Sequence, residues 1–334
     1  MRQFSSQTSF LRTGKHVFLR VSYSSHLIHK FRLGDTVKRL LALAFGAAAV
    51  AVSPLLNAAV LDDIRTRGEV RLGYRPDAPP LSYASPDGTH GMGFAVDLCK
   101  AVINDLEQRK LIPAGTKITY VPLSNAARFK AVVDGAVDAE CADTTNNRER
   151  RDKIGVAFTI PHYYAGVRML VATKSRIQRP EDLRDKTVLV TKGTTTAKIL
   201  EERNASLQLN ARKRDCDSPS ACFKDLADKR GDAYMMDDIQ LFALRAQAAQ
   251  PADWEVVGRL LSIEPLAIML PKNDPVWKAE FDTVLRRLIR DREFHTMYSH
   301  WFERPIPPQN INYQLPMNYL LRDSLKFPSD QIGD

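Results

Sequence analysis

The chain of 334 residues has only four cysteines, and no Cys-X-X-Cys pair or close His/Cys spacing occurs among them. No metal site is therefore expected. Charge of one sign is scarce once the leading segment is set aside. Residues 1–59 hold eight Lys/Arg and one acid, which leaves 40 basic against 38 acidic side chains in the remainder. The overall charge of +9 thus belongs to the leading segment, and a nucleic-acid partner is not expected. The turn Gly193-Thr194-Thr195 lacks the Lys-Ser/Thr of a nucleotide loop, which excludes phosphate cradling and leaves no cofactor in prospect. No membrane span follows Trp301, so the sensor module of a receptor is not expected. No nucleophile sits beside a base at a recognisable spacing, and His162, His295 and His300 read as structural or exposed.

What is present begins with the parts of an export signal. Lys38-Arg39 supplies a positive flank, residues 40–56 form an Ala/Leu/Val run, and Asn57-Ala58-Ala59 offers small residues for cleavage. The run contains Gly46 and Pro54 and is short for a span of about 20 apolar residues. No cysteine follows it directly, so a lipid anchor is not indicated. A hydrophobic content of 44% with 26% charged residues is that of a folded globular body, and the length allows two domains. In an exported chain, which meets an oxidising compartment, four cysteines permit disulfides. Cys216 and Cys222 flank a turn-rich stretch and are expected to close a small loop, whereas Cys99 and Cys141 are as consistent with buried free thiols as with a bridge.

The body reads as alternating helix and strand. A short helix at 61–68 precedes a strand at 69–74 ending at Arg75. A helix entered at Gly93 runs to about Gln108, a strand covers 117–121, and a helix covers 125–134. After another strand at 166–172 the pattern restarts. Strands at 187–190 and 233–236 alternate with helices at 197–203 and 223–229, then come strands at 254–257 and 266–270, and one long amphipathic helix over 277–301. Alternation in units of this length predicts a parallel, doubly wound sheet, with ligands beyond the carboxyl ends of its strands. Arg75, Asn125, Arg128 and the stretch around Asp143 all fall at such ends. So do Asp237 and Asp238, and Asp238 is the expected cap of the following helix.

The stretch from Glu140 to Arg150 reads as a strand end breaking into a polar turn and then a helix start. Asp143, Thr144, Thr145 and Asn146 bring small hydrogen-bonding side chains, and Arg150 a guanidinium. An ordinary capping turn would use the same residue types. Convergence at strand ends favours a ligand site, because an arginine fork takes a carboxylate by two parallel hydrogen bonds. On this reading Arg150 and Thr145 hold one carboxylate, Asp237 an ammonium, and Arg75 with Arg128 a second negative group.

Four segments carry a resemblance: Val137-Asp138-Ala139-Glu140-Cys141-Ala142-Asp143-Thr144-Thr145-Asn146-Asn147, Val190-Thr191-Lys192-Gly193-Thr194-Thr195, Tyr234-Met235-Met236-Asp237-Asp238 and Pro305-Ile306-Pro307-Pro308-Gln309-Asn310. In this order they resemble the periplasmic glutamate/aspartate-binding proteins of ABC importers. The resemblance, from about Leu61 to about Phe327, implies two α/β lobes joined by hinge strands near Arg168 and Leu266. The expected parts are a leader at 1–59, one lobe from 60–167 and 267–304, a second lobe inserted at 168–266, and a wrapping tail at 305–334. It further implies a periplasmic monomer that captures glutamate or aspartate, with related polar amino acids or dicarboxylates as the fallback, and delivers it to a membrane permease.

By the same resemblance Arg75 and Arg128 face the ligand's side-chain carboxylate. Arg150 and Thr145 face its α-carboxylate, Thr194 and Thr195 contribute from the second lobe, and Asp237 takes the α-ammonium. Three positions depart from the family pattern. Asp143 stands where serine is common, Asn125 and Ala127 replace a serine and an asparagine, and a contact histidine is missing before Phe223. An added carboxylate at Asp143 repels an acidic ligand unless it meets an ammonium or an arginine. Cyclohexadienyl dehydratases share this fold, and in that alternative Asp143 acts as a general acid or base.

Overall fold

Residue 59 opens a helix whose two buried side chains, Leu61 and Ile64, seat it against the first strand. The computed structural model describes residues 59–332. The expected leader lies outside these residues except for Ala59, as do residues 333 and 334. Helix α1 (Ala59–Arg67) leads into β1 (Glu69–Tyr74), beyond which β2 (Asp77–Ala78), β3 (Ser82–Ala84) and β4 (Gly91–Met92) make a small antiparallel sheet. Next come α2 (Phe94–Gln108), β5 (Lys117–Pro122), α3 (Arg128–Val133) and β6 (Ala139–Thr145), followed by β7 (Val156–Phe158) and β8 (Tyr163–Ala165).

The chain then crosses to a second sheet, built from β9 (Val167–Ala172), β10 (Thr187–Thr191), β11 (Arg212–Cys216), β12 (Ala233–Asp237) and β13 (Trp254–Val257). Its helices are α4 (Thr196–Leu207), α5 (Pro219–Ala227) and α6 (Asp238–Gln247). The chain returns to the first sheet as β14 (Glu264–Pro271), and α7 (Pro275–Arg290), α8 (Glu293–Phe302) and α9 (Tyr319–Ser324) complete it. The result is two α/β lobes, the second inserted in the first. Arg168 lies on β9 and Leu266 on β14, the strands by which the chain enters and leaves the second lobe.

Both sheets are mixed, which corrects the all-parallel expectation. In the first, β1 pairs in parallel with β5 and β6, but β14 runs antiparallel to β6, β7 and β8. In the second, β10 pairs in parallel with β11 and β12, but β9 runs antiparallel to β12 and β13. The antiparallel strands are those that carry the crossings. Each sheet buries both faces. Trp277, Phe281, Phe294 and Phe302 from α7 and α8 pack over one face of the first, and Val132, Phe158 and Met269 lie on the other.

Three local expectations change with the fold. The long helix over 277–301 is two helices, because Arg292 takes a left-handed φ of 66° between α7 and α8. Asp143, Thr144 and Thr145 belong to strand β6 and not to a turn after it. The stretch between Cys216 and Cys222 is a strand-to-helix junction, in which Ser218 caps α5 by accepting from Ala221 N and Pro219 opens the helix.

Both cysteine pairs are bridged. Cys99 of α2 is joined to Cys141 of β6 with Cα atoms 6.3 Å apart, and Cys216 to Cys222 at 5.2 Å. The first closes 42 residues and the second 6. If a cross-link acts by restricting the unfolded chain, the larger loop contributes about 4 kcal/mol and the smaller about 2 kcal/mol. Denaturant titration of the two double Cys→Ser variants is expected to show that order, with Cys99/Cys141 removal the costlier. Equal losses would refute loop size as the cause.

Candidate functional site

The two sheets present their loops to one gap. Arg75 directly follows β1, Asn125 precedes α3, Arg128 opens it, and Asp143 and Thr145 point to one side of β6, two residues apart. Arg150 opens a π-helical turn, Arg150–Ile154, after that strand. From the second lobe come Thr194 and Thr195, ahead of α4, and Asp237, at the N-cap position of α6 with its side chain free of any capping hydrogen bond. Asn125, Arg128, Asp143, Thr145, Arg150, Thr194, Thr195, Met236 and Asp237 line a small, tightly closed pocket of about 10 Å³. Of the residues expected from sequence, Arg75 alone lies outside that lining, one step behind Asn125. Corrected too is the cap: Asp237 occupies it, and Asp238 is the first helical residue.

Burial is the dominant fact of this site. Arg75 is 1% exposed, Arg128 3% and Arg150 6%, although arginine is among the residues least often fully buried. Each is held by acceptors. Arg75 Nη2 donates to Asp77 Oδ1 at 2.7 Å, its Nη1 donates to Asn125 Oδ1, and the same Nη1 lies 4.0 Å from Asp143 Oδ1. Arg128 Nη1 donates to Asn125 Oδ1 and to Asn125 O at 3.1 Å, and its Nη2 reaches across the gap to Gly193 O at 3.1 Å. Arg150 Nη1 donates to Thr145 O at 2.7 Å. The guanidinium carbons of Arg128 and Arg150 lie 4.7 and 5.0 Å from the ring centre of Phe129, within cation–π range.

The acids respond to the same desolvation. Burial pushes the Asp237 carboxyl well above its ordinary range, with Glu264 and Asp143 adding to the rise and Arg150 opposing it. Behind the pocket, burial pushes Glu140 up to about 7 against the pull of Arg128. Its Oε1 accepts from Thr144 Oγ1 at 3.0 Å. Burial likewise lowers Arg128 to about 9 and Arg150 below its usual value. His162 is buried edge-on to Phe94 and driven down to about 3, so it is neutral.

Sequence reasoning missed three participants. Gln240, on the first turn of α6, donates through Nε2 to Asp143 Oδ2 across the gap. Its spacing of three from Asp237 puts both on one helix side, which was the available signal. Glu264 accepts from Thr195 Oγ1 at 2.9 Å, and Glu140 is a buried acid inside a wholly buried strand. Among the described residues, Arg75 Nε, Arg128 Nε and Asn125 Nδ2 are buried without a hydrogen-bond partner, and no group of His, Cys, Asp and Glu is placed to hold a metal ion. No described helix is long and apolar enough to cross a membrane. The pocket thus offers guanidinium and amide donors to anionic oxygens and two carboxylates to a cation.

The model of the bacterial extracellular solute-binding proteins, family 3, matches residues 70–304. The chain is 32% identical over 289 residues to the glutamate/aspartate import solute-binding protein of Escherichia coli, covering 86% of this chain and 93% of that one. It is 30% identical over 291 residues to the L-glutamate/L-aspartate-binding protein of Pseudomonas aeruginosa, covering 85% and 95%. Among solved structures, a mutant of ArgBP from T. maritima aligns with a TM-score of 0.63 at 26% identity, covering 72% of this chain and 98% of the other.

The Glu140 carboxyl generates a pH prediction. Folded, it keeps its proton up to about pH 7, while the unfolded chain releases it near pH 4.5. The folded state binds more protons in this window, so its stability falls as pH rises through it. Glu140→Gln is expected to remove that fall, on the order of 3 kcal/mol between pH 4.5 and 8. Urea unfolding at several pH values measures it, and a variant that tracks the wild type throughout would refute the assignment.

Proposed function

Because this chain belongs to the bacterial extracellular solute-binding proteins of family 3, we propose that it captures an acidic amino acid, glutamate or aspartate, between its two lobes and delivers it to the membrane permease of an ABC importer. The observation that carries this reading is the meeting of two buried guanidinium groups, Arg128 and Arg150, with two carboxylates at one closed gap, and a third buried guanidinium, Arg75, one step behind Asn125. An acidic amino acid has two carboxylates and one ammonium, so its charges complement that set. Bound, it supplies oxygens to donors that otherwise lack partners and a cation to Asp237, whose carboxyl burial pushes well above its ordinary range.

In this account Arg150 and Thr145 take the α-carboxylate, and Asp237 takes the α-ammonium. Arg128 and, through Asn125, Arg75 serve the side-chain carboxylate. Thr194 and Thr195 are the second lobe's contribution, with Thr194 Oγ1 fixed on Thr191 O at 2.7 Å. Closure brings Gly193 O to Arg128, and Gly193 is suited to that approach. Its φ is +74°, and a Cβ there would stand 3.0 Å from Asn125 O. The protein works outside the cytoplasm as a monomer, with export directed by its leader, and it is not an enzyme. The dehydratase alternative finds little support. Asp143 is engaged by Gln240, and no nucleophile and base stand together among the residues of the pocket.

Calorimetric titration against a panel of amino acids tests the proposal: heat is expected with glutamate or aspartate, and none with either would end it. Replacing Arg128 or Arg150 by Ala is expected to weaken binding by about 2 to 3 kcal/mol, while unfolding remains cooperative. Gly193→Ala is expected to weaken binding through faster ligand release, because the strain acts on the closed form. Stopped-flow fluorescence separates the two rates, and a slower association with unchanged release would contradict this account. Incubation with prephenate is expected to give no aromatic product.

A further inference from the structure

The residues at the side-chain end of the pocket are not those of a purely anionic subsite. Arg75, expected to meet a ligand carboxylate, already faces Asp77 at 2.7 Å and Asp143 at 4.0 Å. Its charge is therefore largely answered before any ligand is considered. Asn125 stands between Arg75 and the pocket, with its Oδ1 accepting from both Arg75 and Arg128. That fixes its Nδ2 as the group left over, buried and without a partner among the described residues. Asp143 lines the same pocket at 8% exposure, and Gln240 of the other lobe engages its Oδ2.

We propose that Asp143 is a specificity-determining residue that lets the pocket accept a side-chain amide, as in glutamine or asparagine, alongside a side-chain carboxylate; this deepens, and rests on, the amino-acid capture proposed above. The argument is one of donor and acceptor matching. A primary amide presents one carbonyl oxygen and an NH2 group. The oxygen suits the donor Asn125 Nδ2, and the NH2 suits the acceptor Asp143. A carboxylate presents only acceptors, so one of its oxygens must face the Asp143 carboxylate. Arg128 and Arg75 favour the acid, Asp143 opposes it, and the two effects bring acid and amide towards parity. Gln240 keeps Asp143 aimed at the gap when the lobes are together, so the effect belongs to the closed form.

The test is a comparison of glutamate with glutamine, and aspartate with asparagine, by calorimetry on the purified protein and on Asp143→Asn and Asp143→Ser, with thermal unfolding as the check on folding. The wild type is expected to bind acid and amide within about tenfold of one another. Both variants are expected to shift the ratio at least about tenfold towards the acid. Asp143→Asn keeps an acceptor for Gln240 while removing the charge and turning the other oxygen into an NH2 donor, and Asp143→Ser removes the carboxylate altogether, so a shift shared by both assigns the preference to the Asp143 carboxylate. A parallel loss for acid and amide would mean that Asp143 acts on the shared α-ammonium and would overturn the inference. A wild type that binds glutamate while excluding glutamine would overturn it too, leaving acidic amino-acid capture intact. Failure to bind any amino acid would remove both.

Discussion

A guanidinium withdrawn from water must be met by acceptors, and here three are withdrawn at the same place. Arg75, Arg128 and Arg150 are almost wholly buried, and the surrounding structure can be read as the set of groups that makes this tolerable. Asp77 and Asn125 hold Arg75; the carbonyls of Asn125, Gly193 and Thr145 hold the other two, and Phe129 lies against both. Carboxylates complete the balance. Removing one partner of such a cluster leaves an uncompensated buried charge, which costs more than the pair contributes. Under the proposed function, the cluster favours a ligand that brings matching charge.

That demand explains why the site is shared between two lobes. No single sheet supplies all the partners. Arg128 uses a carbonyl from the second lobe, Asp143 uses an amide from it, and Thr195 uses Glu264 at the strand that returns to the first. Bringing the lobes together thus satisfies groups that would face water when apart, and the free energy of closure is tied to the electrostatics of the gap. The crossing from β8 to β9 is the single residue Gly166, and that from β13 to β14 is the six residues 258–263. The segment after α8 touches both lobes, with Asn318 Nδ2 donating to Tyr164 O of β8 at 2.8 Å and Gln247 Nε2 at the end of α6 donating to Tyr313 Oη at 2.8 Å.

The acids divide by position. Asp143 and Asp237 line the pocket, whereas Glu140 lies behind it. All three occur on wholly buried strands or at their ends, and each places an acid where burial favours apolar side chains. Such positions are where local rules give way to a site. Burial raises the proton affinity of Asp237 and Glu140 against the pull of the nearby guanidinium groups, which is a property of the folded arrangement.

Much of this was legible from the chain itself. Apolar periodicity located most strands and helices, and arginines and threonines at strand ends identified the gap, because a strand's carboxyl end in such a sheet is where loops are free to carry polar groups. The pairing of Cys99 with Cys141 was not legible, since 42 intervening residues say nothing of distance. Nor was the break at Arg292, where a residue without special turn chemistry takes a left-handed conformation imposed by the packing of α7 and α8. Sequence by itself determined which side chains could answer an amino acid's charges, because residue type fixes donor, acceptor and charge. Tertiary structure alone decided which of them are already spoken for. Arg75 is answered by Asp77 and Asn125, and Asp143 by Gln240 97 positions away, because desolvation pairs charges by proximity in space and has no regard for order along the chain.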